Sequence, residues 1–99
     1  MSKTAQTAYD EILAHIKSQG GAFSKWYCGI TQSVRDRLHG DHNVPEKDHW
    51  FIYRECHSDK DARAVEKTFL DLGCDGGSGG GDSDATYVYA YLKTSITKP

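Results

Sequence analysis

The sequence predicts one small α+β domain, residues 1–99, in which a three-stranded, mainly antiparallel sheet is flanked by three helices. The 99 residues suffice for one domain with a modest core. Three segments carry apolar residues at helical spacing, and three short segments are rich in aromatic and β-branched residues. Helices and strands alternate along the chain without an internal repeat. Short strands in a chain of this length favour a single sheet covered by helices.

The helices are predicted where apolar residues recur at intervals of three and four. Ser33 and Ser58 are suited to cap the second and third helices, and a glycine follows each helical segment. Asp61, three residues after Ser58, resembles the second half of a capping box. The predicted helices are Thr4–Ser18, Val34–His39 and Asp59–Leu72.

The strands are predicted from runs of aromatic and β-branched residues between turn signals. The last run is the clearest, because Tyr87, Tyr89 and Tyr91 alternate with apolar residues. Such a row forms a sheet face half-covered by a helix or a second subunit, or it offers a stacking platform for unpaired bases. Six glycines within Gly73–Asp84 predict a flexible connector before this run. The predicted strands are Phe23–Ile30, Trp50–Glu55 and Thr86–Leu92.

Composition limits the possible partners. No apolar run approaches the roughly 20 residues that cross a bilayer, and the first residues are not those of a secretory signal. A cytoplasmic monomer or homodimer without membrane contact is therefore expected. Because the net charge is −2, a nucleic-acid partner requires a local cluster of the 12 Lys and Arg residues. Cys28, Cys56 and Cys74 are spaced too widely for a thiolate zinc site and are expected to behave as small apolar residues.

One segment resembles a known family. The residues WYCGITQSVRDRL, positions 26–38, resemble the second half of the GIY-YIG nuclease signature, a strand ending in Tyr-x-Gly followed by a turn and a basic helix. Arg37 lies eight residues after Gly29, which is the spacing expected for the family's active-site arginine. Downstream, Phe51–Glu55 resembles the middle strand of the family, and Ala62–Leu70 resembles the helix with its metal-binding glutamate. The resemblance covers about residues 26–72.

The first motif of the family, a Gly-Ile-Tyr strand, has a reduced counterpart here. The only candidate is Gly21-Ala22-Phe23, six residues before the match at Tyr27-Cys28-Gly29. Two arrangements follow from this spacing. Either Thr86–Leu92 takes the place of the first strand in the sheet, or the first hairpin is much shortened.

The resemblance implies an endonuclease that cleaves phosphodiester bonds in nucleic acid, DNA in preference to RNA. Arg37 would stabilise the charge on the phosphoryl oxygens, Tyr27 would assist the attacking water, and Glu66 would hold Mg²⁺ or Mn²⁺. His39 and His42 follow Arg37 closely, where related nucleases often carry a histidine on or after this helix, and His42 is the candidate general base.

A second function is compatible with the same residues. Without the resemblance, Arg37 and Glu66 would be ordinary surface residues of helices, with Glu66 paired to Arg63 or Lys67. The alternative is therefore a catalytically inactive GIY-YIG-like module that binds protein or nucleic acid, including a small regulatory or inhibitory protein. The nuclease hypothesis requires Arg37 and Glu66 to share one pocket open to water.

Overall fold

Three helices and three strands alternate along the chain. The structure is a computed structural model and describes residues 2–45, 50–76 and 85–98. The predicted fold class is confirmed, because the strands form one antiparallel sheet flanked by helices. The elements are α1 (Ala5–Ser18), β1 (Trp26–Thr31), a π-helix (Arg35–Asp41), β2 (Phe51–Glu55), α2 (Asp59–Asp71) and β3 (Tyr87–Leu92).

The last strand of the chain lies in the middle of the sheet. The strand order is β1-β3-β2, and β3 pairs antiparallel with both neighbours. Gly29 of β1 and Tyr53 of β2 both lie opposite Tyr89. In the described part of the chain no strand precedes Trp26. Of the two arrangements that the sequence allows, β3 therefore takes the position beside β1.

Both long helices begin at a side-chain cap, which is the predicted Ser58 for α2 and is Thr4, predicted as the first helical residue, for α1. The Thr4 hydroxyl accepts a hydrogen bond from the backbone amide of Thr7 at 3.1 Å, and the Ser58 hydroxyl accepts one from the amide of Asp61 at 3.2 Å. Each bond satisfies an amide that the helix itself leaves unpaired. The boundaries of α1 and α2 accordingly fall within one residue of those expected from the sequence.

The second helix is a π-helix and not the predicted α-helix over Val34–His39. In a π-helix the backbone bonds join residues five apart, and here the amide of His42 donates to the carbonyl of Arg37 at 3.0 Å. Gly40, expected to end the helix, lies inside it. Apolar residues four apart, Val34 and Leu38, share a face in both helix types, so their spacing could not distinguish them.

The sheet has two chemically different faces, because side chains alternate along each strand. The helix face is covered by α1 and α2, whose apolar stripes form the main core around Trp26 and Phe69. The opposite face, here called the tyrosine face, is covered in its central part by Leu38 of the π-helix and by Val44. It presents six aromatic side chains, those of Tyr27, Phe51, Tyr53, Tyr87, Tyr89 and Tyr91.

The start of the predicted connector contacts the sheet. Asp75 accepts a backbone hydrogen bond from Cys28 at 2.9 Å and donates one to Trp26 at 2.8 Å, so that it lines the outer edge of β1. Residues 77–84 of the connector lie outside the described residues. The three cysteines are free and buried, as expected.

The start of the first strand also differs from its prediction. Phe23–Lys25 form a 3₁₀ turn, because the amide of Lys25 bonds back to the carbonyl of Ala22 at 3.0 Å. The preceding Gly20 and Gly21 both have positive φ and turn the chain just before this point. None of the helices in the described ranges has both the length and the apolar character that crossing a bilayer requires.

Candidate functional site

The covered part of the tyrosine face contains a cluster of polar aromatic side chains, here called the tyrosine–histidine cluster. It consists of Tyr27, His42, Tyr89 and Tyr91, each at most 5% exposed. The ring of Tyr27 lies 4.6 Å from that of His42 and 5.3 Å from that of Tyr91, between centroids. Arg37 of the π-helix lies at the boundary between this cluster and solvent, and its side chain is 44% exposed.

The hydrogen bonds of His42 determine which of its ring nitrogens carries the proton. Its Nδ1 lies 2.7 Å from the carbonyl oxygen of Lys98, which can only accept, so Nδ1 carries the proton. Nε2 is then the acceptor, and the Tyr89 hydroxyl donates to it at 2.7 Å. The guanidinium of Arg37 lies beside the Tyr89 oxygen. The oxygen of Tyr91 lies 3.2 Å from Nδ1 and shares that proton.

The electrostatic environment agrees with this arrangement. Burial lowers the pKa of His42, and the nearby positive charge of Arg37 lowers it further, so the imidazole is held neutral. Burial also raises the pKa of Tyr89, which keeps its hydroxyl protonated. The interaction with the Tyr89 hydroxyl is the main cause that raises the pKa of Arg37, with a smaller effect from Asp41 at 3.3 Å.

The π-helix brings Arg37 and His42 to the same side. In a π-helix, residues five apart lie about one turn apart, because the backbone bonds join residue i to residue i+5. An α-helix completes a turn after about 3.6 residues. The turn that follows is held by the chain end, because Lys98 donates its amide to the carbonyl of His42 at 2.7 Å. The Asn43 side chain donates to the carbonyl of Ile96 at 2.8 Å. The position of His42 is thus fixed from two directions.

Gly29 makes room for the central tyrosine. A β-carbon at Gly29 would lie 2.5 Å from the hydroxyl oxygen of Tyr89 and 2.7 Å from its ring. Tyr89 lies directly opposite Gly29 in the sheet, so its ring crosses over the neighbouring strand. The glycine of the Tyr-x-Gly motif therefore permits the contact between Tyr89 and His42.

Three of the four predicted site residues lie together and the fourth belongs to the other layer. Tyr27, Arg37 and His42 meet on the tyrosine face. Glu66 lies on α2, near the Cys28 thiol on the helix face; burial is the main cause that raises the pKa of this thiol, and Cys74 and Glu66 raise it further. Arg37 and Glu66 thus lie on opposite sides of the sheet and do not form the one shared pocket that the nuclease hypothesis requires.

The surroundings of Glu66 determine whether it suits a divalent cation. Partial burial raises the pKa of its carboxyl, and the charge of Arg63 opposes that effect. A cation would therefore favour the ionised carboxylate. Mg²⁺ often binds through one or two carboxylates and keeps several waters, and a single Glu66 fits that mode. No group of three or more His, Cys, Asp or Glu side chains within the described ranges is placed to hold a metal.

Two members of the cluster were not among the predicted site residues. Tyr89 and Tyr91 were expected in a row with Tyr87, as a covered face or a stacking platform. Tyr89 and Tyr91 are buried, whereas Tyr87 is only partly covered. The signal that could have identified Tyr89 is the glycine of the Tyr-x-Gly motif, because a strand glycine often marks the close approach of another group.

Comparison with known proteins yields no match. The chain matches no family model, no curated protein and no solved structure. The similarity to GIY-YIG nucleases therefore remains a resemblance of residues 26–72.

Proposed function

We propose that the tyrosine face carries the active site of a metal-dependent nuclease, which cleaves phosphodiester bonds in nucleic acid, DNA in preference to RNA. The observation that supports this is the position of Arg37 beside the buried pair of His42 and Tyr89, which are hydrogen-bonded at 2.7 Å. The ion pair with Asp41 at 3.3 Å also holds the guanidinium at the surface of this cluster. A charge oriented before the reaction stabilises the transition state without reorganisation at the moment of reaction.

Each residue of the site has a distinct role in this proposal. The planar fork of Arg37 donates to the phosphoryl oxygens, on which negative charge develops during cleavage. The hydroxyl of Tyr27, a residue that is 5% exposed, would orient an attacking water that reaches it at the edge of the cluster. His42 acts as a positioning residue and not as the general base, because Nδ1 is protonated and Nε2 is occupied by Tyr89.

The metal would be held by Glu66. Mg²⁺ or Mn²⁺ bound to this carboxylate and to water would supply positive charge and a Lewis acid. Because α2 packs on the helix face, this role requires the nucleic acid to contact both faces of the sheet, with Arg37 on one and Glu66 on the other. The half-buried position of Glu66 is compatible with this role, since burial raises the pKa of its carboxyl and a bound cation would lower that pKa again.

A second candidate function has an observation of its own. Both ring nitrogens of His42 and the hydroxyls of Tyr89 and Tyr91 already bond to protein groups, and these side chains are buried. Such a satisfied network also serves as a rigid support. In that case the domain binds nucleic acid or a protein without cleaving it, and Arg37 is only an anchoring cation.

Cleavage of a labelled duplex and of a labelled single strand with Mg²⁺ or Mn²⁺ separates the two candidates. We expect Arg37→Met to lower kcat/KM by roughly 10²- to 10³-fold, since it removes one charge aimed at the transition state. Glu66→Gln should abolish the response to added metal. Lys67→Met is the matched control, because Lys67 also lies on a helix and pairs with an aspartate four residues further along.

The outcome assigns one function or the other. Equal cleavage by the wild type, Arg37→Met and Glu66→Gln would mean that the activity belongs to another site or to a contaminant. Binding of an oligonucleotide without cleavage by the wild type, with either metal, would support the non-catalytic module. Circular dichroism of each variant establishes that the fold is retained.

A further inference from the structure

The tyrosine face extends beyond the π-helix into an open cleft. This cleft, here called the Tyr53–Tyr87 cleft, has a volume of about 580 Å³ and lies between the turn after β1 and the edge strand β2. Its walls include Arg35, Gln32 and His39 in addition to the two tyrosines. Ligand pockets typically measure about 300–1,000 Å³, so the cleft is large enough for one nucleotide.

The tyrosines of the cleft differ from those of the buried cluster. Tyr53 is 44% exposed although it lies on a sheet face. Its ring lies 6.3 Å from that of Tyr87, at an angle of 59°. A second cleft, of about 570 Å³, borders the same two rings on the side of Glu55. The tyrosine pair therefore forms a ridge with open space on both sides, which presents aromatic surface to a flat ligand.

The charges around the ridge are asymmetric. Arg35 lines the first cleft and is exposed. Arg37, two residues further along the same π-helix, contacts Tyr89 at the centre of the tyrosine face. On the opposite side of the ridge, the second cleft is lined by Glu55 and by Arg54, and Arg54 is paired with Glu11 at 2.7 Å. Because Glu11 already balances the charge of Arg54, an anionic group would be attracted more strongly to Arg35 on the side of the π-helix.

We propose that the Tyr53–Tyr87 cleft binds one unpaired base of single-stranded nucleic acid, with the adjoining phosphate on Arg35. This inference rests on the proposed function for its class of ligand. Aromatic side chains bind unpaired bases by stacking, and a nearby cation retains the backbone. Gln32 supplies an amide donor and acceptor for the edge of the base.

A single strand fits the cleft better than a duplex. Bases within a duplex are stacked on one another and cannot enter a cleft, so duplex binding depends on many cations that contact phosphates. The net charge is −2, and Arg35 is the cation that lines this cleft. Stacking would therefore contribute a larger part of the affinity here than phosphate contacts.

Oligonucleotide binding in EDTA tests this proposal separately from cleavage. The probes are a fluorescent oligothymidylate and an abasic oligomer of equal length, measured by anisotropy at low and high salt. We expect Tyr53→Leu to weaken oligothymidylate binding roughly 5- to 100-fold, the range of one lost stacking contact. Binding of the abasic oligomer should be unchanged. Tyr53→Phe is the control and should bind both probes like the wild type, because it keeps the ring.

Arg35→Met should have a different effect. It should weaken the binding of both probes equally. It should also reduce the slope of log affinity against log salt concentration by about one. The proposal is overturned if Tyr53→Leu binds oligothymidylate as the wild type does, if the wild type prefers the abasic oligomer, or if it binds neither probe. If the protein cleaves duplex DNA with metal but Tyr53→Leu binds as the wild type does, the nuclease proposal is supported and the proposal for the cleft is contradicted. Binding that depends on the base, without cleavage, would support the cleft and contradict the nuclease proposal.

Discussion

Gly29 shows how one residue of the sequence motif controls the buried cluster. The ring of Tyr89 lies where a β-carbon of residue 29 would be, and its hydroxyl reaches His42 only across that gap. Tyr89 has no room to retreat, since it is fully buried between the rings of Tyr27 and His42. The glycine is therefore required by packing against a neighbouring strand and not by backbone conformation.

Gly29→Ala is expected to destabilise the fold by about 1–3 kcal/mol, the usual cost of overpacking a well-packed core. The hydroxyl of Tyr89 should also move away from His42, so that Arg37 loses its support. Urea unfolding measures the first effect. Gly40→Ala is the control, because the nearest atom to its added β-carbon is 4.0 Å away. Equal stability of the two variants would contradict this account of Gly29.

Single residues were predictable where their role depends on near neighbours in the chain. Ser58 as a cap follows from residues within one helical turn. The partnership of Tyr89 with His42 joins residues 47 apart and depends on which strand lies beside β1. The sequence left that strand order open between two arrangements. The cluster could therefore be predicted in part, as Tyr27, Arg37 and His42, but not completed.

At the scale of elements, the π-helix determines how the site is assembled. The periodicity of Val34 and Leu38 predicts a helix but cannot select the hydrogen-bonding pattern. The i to i+5 bond between Arg37 and His42 places both side chains near Tyr89. The π-helix is an uncommon conformation that frequently occurs at functional sites. Its presence beneath Arg37 is thus consistent with a site at this position.

The pKa of His42 tests this arrangement. Burial lowers it below the ordinary value of about 6.5. The unfolded chain therefore binds a proton before the folded one does, and this contribution to stability is complete above about pH 6.5. It is lost as the pH falls from there through the pKa of the folded state. NMR titration of the imidazole should show the lowered pKa directly.

Substitution of Arg35 and of Arg37 tests whether the charge of Arg37 causes the smaller part of the lowering of the His42 pKa. Arg37→Met should raise the pKa of His42 toward its ordinary value without reaching it, because burial is the larger cause. Arg35→Met, on the same π-helix, should leave the titration of His42 as it is in the wild type. The same pKa in all three proteins would mean that Arg37 does not lie beside His42 in solution.

At the scale of the whole molecule, both cores share one strand. Val88 and Ala90 of β3 belong to the core of the helix face, and Tyr89 and Tyr91 to the cluster on the tyrosine face. β3 is also hydrogen-bonded to both other strands. Loss of either core would therefore expose the central strand on one side. A domain of about 100 residues has little stability to spare, about 5–15 kcal/mol in total.

The two faces should consequently unfold as one unit. Leu38→Ala, in the smaller core, should lower the free energy of unfolding by about 2–5 kcal/mol. Because β3 couples the faces, Leu38→Ala should shift two unfolding midpoints equally. One is reported by Trp26 on the helix face, and the other by the near-ultraviolet signal of the tyrosines. Fluorescence in a Trp50→Phe background reports on Trp26 alone, since the chain has two tryptophans.

Leu72→Ala is the control for that comparison. Leu72 is exposed at the end of α2, so its truncation should shift neither transition by more than about 0.5 kcal/mol. If Leu38→Ala moved only the tyrosine signal and left Trp26 at the wild-type midpoint, the tyrosine face would open independently of the helix face. In that case the bond between His42 and Tyr89 would break without global unfolding, and the support beneath Arg37 would be a local and reversible structure. A single shared transition means instead that the orientation of Arg37 is as stable as the fold itself.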